Sequence, residues 1–136
     1  MLAENTVLTG RRAITRSYAK INLILDVLSK RENGYHDIKM IMQTVSLFDL
    51  ILVDKTHRGI SISTNLPYLP CNEKNIAYKA ADAFFQATGI RGGAKIVIHK
   101  NIPVAAGLAG GSGNCAAVLT AMNMLHGNPL SNDELM

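Results

Sequence analysis

A glycine-rich stretch between a strand pattern and a helix pattern is the part of this sequence best suited to chemistry. It runs from Asn101 to Asn114 and reads NIPVAAGLAGGSGN. Its glycines are Gly107, Gly110, Gly111 and Gly113. Glycine permits a positive φ and removes the side chain where a backbone turns sharply or touches a ligand. The periodicity of residues Ala116 to His126 predicts a helix, whose start would present unpaired N–H groups and the positive end of its dipole. The stretch therefore predicts an anion site suited to phosphate.

Two better-known glycine motifs fit this stretch less well. A P-loop needs Gly-Lys-Ser/Thr after a short spacer, and the residues that follow Gly107 include no lysine. Gly111, Gly113 and Ala116 match the dinucleotide pattern G-x-G-x-x-A, but the predicted strand ends near Ile102, too far ahead for that tight turn. A flexible linker or a simple helix cap is the remaining alternative.

The composition indicates one soluble, globular domain. A chain of 136 residues with 48% hydrophobic content is long enough for one core and too short for two ordinary domains. The net charge of +4 comes from scattered basic residues, which suit a solvated surface or an anionic substrate. Only 5% of the residues are aromatic, so a base-stacking platform would be hard to assemble, and nucleic acid is not favoured. The oligomeric state stays open.

The cysteines, histidines and apolar runs point to the cytoplasm. Cys71 and Cys115 lack the spacing of metal ligands, so we expect free buried thiols in a reducing compartment. The dispersed histidines imply no structural metal. The longest apolar run, Leu47 to Val53, is broken by Asp49 and is far shorter than the ~20 residues that a membrane helix needs. We expect a cytoplasmic protein without a membrane partner.

The residue pattern in the first half of the chain predicts strands. Residues 1–12 are polar and without period, which predicts a flexible N-terminal extension. Residues Lys20 to Leu28 alternate as a half-buried strand does, which puts Lys20 and Asn22 on the same face. The Asn33-Gly34 pair predicts a hairpin turn into a second strand from Ile38 to Leu47.

Shorter elements complete the chain. Two short strands at 51–53 and 60–63 predict a small antiparallel region, and 75–88 has helical spacing. A strand is predicted from Ala94 to Ile102, before the glycine stretch. Ser131 to Glu134 is a capping box that announces a third helix just before the sequence ends, so we expect the first part of a longer protein.

Three segments, in this order, resemble one family: AKINL at 19–23, NGYH at 33–36 and IPVAAGLAGGS at 102–112. The sequence is similar to the N-terminal half of the GHMP small-molecule kinases, in particular those that phosphorylate the 2-hydroxyl of 4-diphosphocytidyl-2-C-methyl-D-erythritol in non-mevalonate isoprenoid biosynthesis. The resemblance implies an α+β fold for residues 13–136, related to domain 2 of ribosomal protein S5, with a mixed, largely antiparallel sheet covered by helices. It also implies that the catalytic aspartate lies in a segment after Met136, so the 136-residue chain alone is expected to be inactive.

The resemblance assigns ATP and Mg²⁺ to the glycine stretch. The implied ATP-binding residues are Pro103, Ala106, Gly107, Leu108, Ala109, Gly110, Gly111, Ser112, Gly113 and Asn114. Ser112 would lie near the phosphates or their magnesium ion. Lys20 would be the active-site lysine that holds the acceptor hydroxyl or its activating carboxylate, although an isolated strand lysine is otherwise a solvated surface residue.

The cytidyl substrate would be bound by Asn22, Tyr35 and His36, with Tyr35 stacking on the base and His36 hydrogen-bonding to its edge. Without the resemblance, the aromatic pair after Asn33-Gly34 reads equally well as a hairpin contact. Two positions depart from the family: Gly113 replaces a second hydroxyl residue, and Tyr18 replaces a frequent proline. Two alternatives remain open, namely a GHMP kinase acting on homoserine, mevalonate or a sugar, and an RNA-binding module of related fold.

Overall fold

The computed structural model of this chain describes residues 2–30, 36–103 and 110–135. Its elements are a 3-10 helix at Leu2–Asn5, strands β1 (Thr6–Thr9), β2 (Arg12–Lys30), β3 (His36–Thr56) and β4 (Gly59–Thr64), helix α1 (Ile76–Thr88), strand β5 (Gly93–His99), and helices α2 (Gly110–Leu125) and α3 (Asn132–Leu135). The strands form a 5-stranded sheet in the order β1-β2-β3-β5-β4. Only the β4–β5 pair is parallel among the described strand pairs. The predicted α+β fold with a mixed, largely antiparallel sheet is confirmed.

The N-terminal residues belong to this sheet. Thr6–Thr9 form β1 and pair antiparallel with β2, from Thr6 opposite Thr15 to Thr9 opposite Arg12. The buried Thr6 hydroxyl donates to Thr15 Oγ1 at 2.8 Å. Where the sequence predicted a loose extension up to residue 12, the structure has an edge strand, because its backbone groups find partners along β2.

Two long strands form the centre of the sheet. The predicted strands at 20–28 and 38–47 are confirmed, but each is part of a longer one, since β3 also contains residues 51–53. The predicted antiparallel pairing of 51–53 with 60–63 is wrong, because β5 lies between them. β4 instead pairs parallel with β5, with Ile62 opposite Ile96.

Helix α1 has the ends that the sequence predicted. The Ala77 N–H donates to Asn75 Oδ1 at 2.8 Å, which caps the first turn. Gly89, with φ of 69°, ends the helix in the left-handed conformation that glycine adopts without strain. The α1 residues of the core are Ala77, Ala80, Ala81 and Phe84.

The helices cover one face of the sheet. Buried side chains of β3 and β5, among them Ile51 and Ile96, pack in one core with Phe84 of α1 and Val118 of α2. At Gly93 the strands approach so closely that a Cβ would lie 2.3 Å from the Gly59 carbonyl oxygen, so this position of β5 has to be glycine.

The last two helices differ from expectation in one respect. Helix α2 begins at Gly110, well before the predicted Ala116, and so includes part of the glycine stretch. The capping box of α3 is confirmed, because the Glu134 N–H donates to Ser131 Oγ at 3.3 Å and the Ser131 N–H donates to Glu134 Oε1 at 3.2 Å. Within the described ranges, no helix combines the length and the apolar character that crossing a membrane requires.

Candidate functional site

The start of α2 brings several of the predicted anion-binding residues together. Gly110, Gly111, Ser112 and Gly113 form its first turn, where backbone N–H groups have no partner within the helix. Pro103 is exposed before this turn. The predicted ATP-binding residues Ala106, Gly107, Leu108 and Ala109 lie outside the described residues, and so does Tyr35. Asn22, His36 and Ser112 lie in β2, β3 and α2, and their side chains are likewise outside the description.

Gly111 and Gly113 have opposite surroundings. A Cβ at Gly111 would meet no atom within 4 Å, whereas a Cβ at Gly113 would lie 2.6 Å from Ser17 Oγ. Neither glycine has the positive φ that the sequence analysis allowed for. Both glycines therefore matter because they lack a side chain. Gly111 leaves the outer side of the helix start open to a ligand, and Gly113 lets the inner side of the helix approach β2.

Ser17 is a site residue that the sequence did not reveal. It is 1% exposed on the helix-covered face of β2, and its buried hydroxyl has no hydrogen-bond partner among the described residues. The hydroxyl occupies the space that a side chain at position 113 would fill. The contact fixes the start of α2 against β2. It leaves the buried Ser17 hydroxyl without a hydrogen bond among the described residues, which lowers the stability of the fold.

Helix α2 continues with a buried amide side chain and a half-buried thiol. Asn114 is buried, at 4% exposure, in the first turns of the helix. Cys115 is a free, half-buried thiol, and burial raises its pKa above the ordinary value, which keeps the sulfur protonated near neutral pH. The other cysteine, Cys71, is exposed, so the prediction that both thiols are buried is wrong for it.

The chain between β5 and the glycine stretch is held by Asp49 of β3. The Asn101 N–H donates to Asp49 Oδ1 at 2.7 Å, and the Ile102 N–H donates to the same oxygen at 2.9 Å. Lys100 Nζ donates to Asp49 Oδ2 at 2.6 Å. This carboxylate therefore determines where the backbone leaves β5 on its way to α2.

Lys20 is exposed near this region but does not face α2. Burial alternates along β2, with Ser17 and Ala19 buried under the helices and Lys20 on the opposite face. Lys20 is three residues from Ser17, which is ~10 Å along a strand. The pairing of β2 with β3 shifts register between Tyr18 and Lys20. Such irregularities turn side chains to new directions and are frequent beside active sites.

An arginine and two aromatic rings lie on the same face of the sheet as Lys20. The Arg16 guanidinium is 5.2 Å from the centre of the Phe48 ring, and the Tyr18 and Phe48 rings are 5.4 Å apart. These contacts order the surface between β2 and β3 next to the register shift. At this point the face that carries Lys20 has two exposed cations, Arg16 and Lys20, beside the aromatic pair.

Comparison with known proteins supports one family. Residues 75–136 match the model of the GHMP kinases N terminal domain. A curated protein of Clostridium botulinum (strain Eklund 17B / Type B), named 4-diphosphocytidyl-2-C-methyl-D-erythritol kinase, is 51% identical over 121 residues, which are 89% of this chain and 43% of that protein. The chain thus spans less than half the length of this relative.

Solved structures of two kinases share the fold. A crystal structure of 4-(cytidine 5'-diphospho)-2C-methyl-D-erythritol kinase superposes with a TM-score of 0.72 at 35% identity, covering 90% of this chain and 44% of the other. Homoserine kinase from Cytophaga hutchinsonii superposes with a TM-score of 0.74 at 20% identity, covering 95% of this chain and 40% of the other. At that identity the second match shows the fold alone.

The contrast between the two glycines generates a stability prediction. We expect Gly113→Ala to be ~1–2 kcal/mol less stable than Gly111→Ala, because both add a methyl group to the same helix but only the first meets Ser17 Oγ, at 2.6 Å. Comparing the two variants cancels the gain in helix propensity. In a Ser17→Ala background the difference should shrink by ~0.5 kcal/mol or more. Denaturant unfolding measures all four proteins, and a difference that persists unchanged without the Ser17 hydroxyl would contradict the contact.

Proposed function

We propose that this chain, whose residues 75–136 match the GHMP kinases N terminal domain, is the N-terminal part of an ATP-dependent kinase that phosphorylates the 2-hydroxyl of 4-diphosphocytidyl-2-C-methyl-D-erythritol. The observation that carries this proposal is the start of α2, where the backbone N–H groups of the first turn have no partner within the helix and the side at Gly111 is open. A helix start of this kind suits the phosphates of ATP. The substrate follows from the relative that is 51% identical, whose name specifies the cytidyl compound.

The reaction needs positioning and charge stabilisation more than covalent chemistry. The γ-phosphoryl group leaves the β-phosphate oxygen of ATP and bonds to the acceptor oxygen, whose proton would pass to the activating carboxylate, which is proposed to lie outside this chain. The first turn of α2 would hold the phosphates through its N–H groups without reorganisation, since Ser17 and Gly113 fix its place on β2. Lys20 would hold the acceptor hydroxyl or the carboxylate that activates it, which requires the register shift between Tyr18 and Lys20 to turn its exposed side chain towards the start of α2.

Magnesium fits this site as a companion of the phosphates. Mg²⁺ keeps several waters and is usually held by one or two protein groups together with substrate phosphates. In the part of the chain that the structure describes, His, Cys, Asp and Glu form no group of at least 3 that could hold a metal ion. The proposed Mg²⁺ would therefore be held mainly by ATP, with Ser112 as the candidate protein ligand, and would supply charge neutralisation on the phosphates.

The proposed contacts to the cytidyl group involve side chains that the structure does not describe. Asn22, Tyr35 and His36 are proposed for the cytidyl group, and the catalytic aspartate is proposed to lie in the segment of the relatives that this chain does not span. Asp133 is exposed in the short helix α3 and is not a substitute. We accordingly expect the 136-residue chain to bind nucleotide weakly and to catalyse no transfer.

A small-molecule substrate and the reduced thiols Cys71 and Cys115 fit a cytoplasmic enzyme.

Lys20 gives the first test of this proposal. In a protein of the relatives' full length, we expect Lys20→Ala to lower turnover by roughly 10²-fold, the scale on which a preorganised charge-stabilising group acts. Arg16→Ala is the matched control, because Arg16 is an exposed cation on the same face of β2 but contacts Phe48. Steady-state turnover with the cytidyl substrate measures both variants. Near-normal turnover of Lys20→Ala would remove Lys20 from the active site.

Gly111 gives the second test. We expect Gly111→Val to abolish ATP binding with little change in binding of the cytidyl substrate, because the added side chain would occupy the side on which phosphate approaches. The protein should remain folded, since nothing lies within 4 Å of a Cβ at this position. Calorimetric titration of both ligands, together with the thermal unfolding midpoint, measures these effects. Unchanged ATP affinity in a folded variant would mean that the helix start has only a structural role.

A further inference from the structure

Among the side chains that the structure describes, one carboxylate is buried on the helix-covered face of the sheet. Asp49 is 0% exposed and lies on the same face of β3 as the buried Ile51 and Val53. Burying a charge on such a face is unfavourable unless the carboxylate is fully hydrogen-bonded, and an apolar residue of similar size would usually serve stability as well. A charge at this position therefore calls for an explanation beyond packing.

Three donors to this carboxylate come from consecutive residues. Lys100 Nζ, the Asn101 N–H and the Ile102 N–H lie 2.6, 2.7 and 2.9 Å from the Asp49 oxygens. Two of these donors are backbone groups, so the carboxylate fixes the path of the main chain as well as one side chain. Buried polar groups of this kind can specify one geometry where apolar packing would permit several.

Further contacts hold the same segment from both neighbouring strands. The Lys100 N–H donates to Asn65 Oδ1 at 2.7 Å, and Asn65 Nδ2 donates to the Lys100 carbonyl at 3.1 Å. Asn65 follows directly after β4. On the other side, Asn101 Nδ2 donates to the Phe48 carbonyl of β3 at 2.9 Å. The exit of β5 is thus clamped between β3 and β4.

This clamp ends where the nucleotide-binding stretch begins. Ile102 is 1% exposed, whereas Pro103, the next residue, is exposed and is the first of the proposed ATP-binding residues. Because a shift of about 1 Å in a positioning element can cost 10²-fold in function, the direction of the chain at Ile102 matters for every residue up to α2.

We propose that Asp49 is a positioning residue for nucleotide binding: by holding the amides of Asn101 and Ile102 it sets the direction in which the glycine stretch leaves β5. The proposal rests on the proposed function for its ligand, ATP. It does not require Asp49 to contact ATP, since its carboxylate is covered and bound to residues 100–102. The expected consequence is a selective effect on ATP.

The test compares two changes in the ionic groups of β3. Asp49→Asn weakens the hold on the β5 exit. Asp54→Asn is the matched control, because Asp54 lies on the same strand and pairs with Arg12, at 2.7 Å, away from this segment. In amide NMR titrations of the 136-residue chain with ATP, we expect at least tenfold weaker affinity for Asp49→Asn and less than a twofold change for Asp54→Asn. Equal affinity of wild type and folded Asp49→Asn would overturn the proposal.

A second variant keeps the test decisive if Asp49→Asn fails to fold. Asp49→Val/Lys100→Met removes both charges of the buried pair, so that neither is left unpaired, and it leaves the amides of Asn101 and Ile102 without the carboxylate. We expect its ATP affinity to fall at least tenfold and the cytidyl-substrate affinity to change less than twofold. A parallel loss for both ligands would overturn the proposal in favour of a purely structural role.

The same spectra separate this proposal from the proposed function. Without any ligand, the double variant should shift amide signals across residues 103–114 while those of α1 stay in place. Shifts confined to residues 99–102 would overturn the positioning role whatever the titration shows. A wild-type chain that shows no ATP-induced shift would instead refute the proposed function, and the ligand-free spectra would still decide whether Asp49 directs the segment.

Discussion

The parallel pairing of β4 with β5 is the constraint on which the rest of the structure depends. Parallel neighbours cannot be joined by a tight turn, so the chain between them has to cross one face of the sheet, and α1 makes that crossing. The crossing buries Phe84 against Ile51 and Ile96 and defines the helix-covered face. Strand β5 lies between β3 and β4 in the sheet. The residues that follow β5 can therefore be held by contacts from both of these strands before the chain continues to α2.

The candidate site follows from that arrangement through a small number of close contacts. Ser17 and Gly113 set the distance between β2 and the start of α2, and Asp49 sets the path from β5 towards it. The two contacts act on opposite ends of the glycine stretch, at 101–102 and at 113. A ligand held between these ends would therefore meet backbone groups whose positions are decided by the sheet, which is how preorganised phosphate sites avoid reorganisation on binding.

The sequence predicted those features that depend on neighbouring residues. Asn75 and Gly89 mark the ends of α1, and Ser131 with Glu134 marks the start of α3, because capping is decided within a few residues.

The partner of β4 was not predictable in this way, since local patterns favour a hairpin with β3, and the pairing with β5 depends on the crossover. The early start of α2 at Gly110 was missed for a related reason: glycine lowers helix propensity, and the contact with Ser17 that holds this turn is distant in sequence. Asp49 does leave a signal in the sequence, because it is an acid that interrupts the apolar run from Leu47 to Val53.

The fold is shared with a homoserine kinase at 20% identity, so the geometry of the sheet and helices cannot by itself define the acceptor. The most direct measurement is therefore phosphoryl transfer from ATP to a panel of acceptors, using the longest open reading frame that contains this sequence. The account predicts transfer to 4-diphosphocytidyl-2-C-methyl-D-erythritol and none to homoserine or mevalonate. Transfer to homoserine or mevalonate, or no transfer to the cytidyl compound by a folded protein that binds ATP, would contradict it.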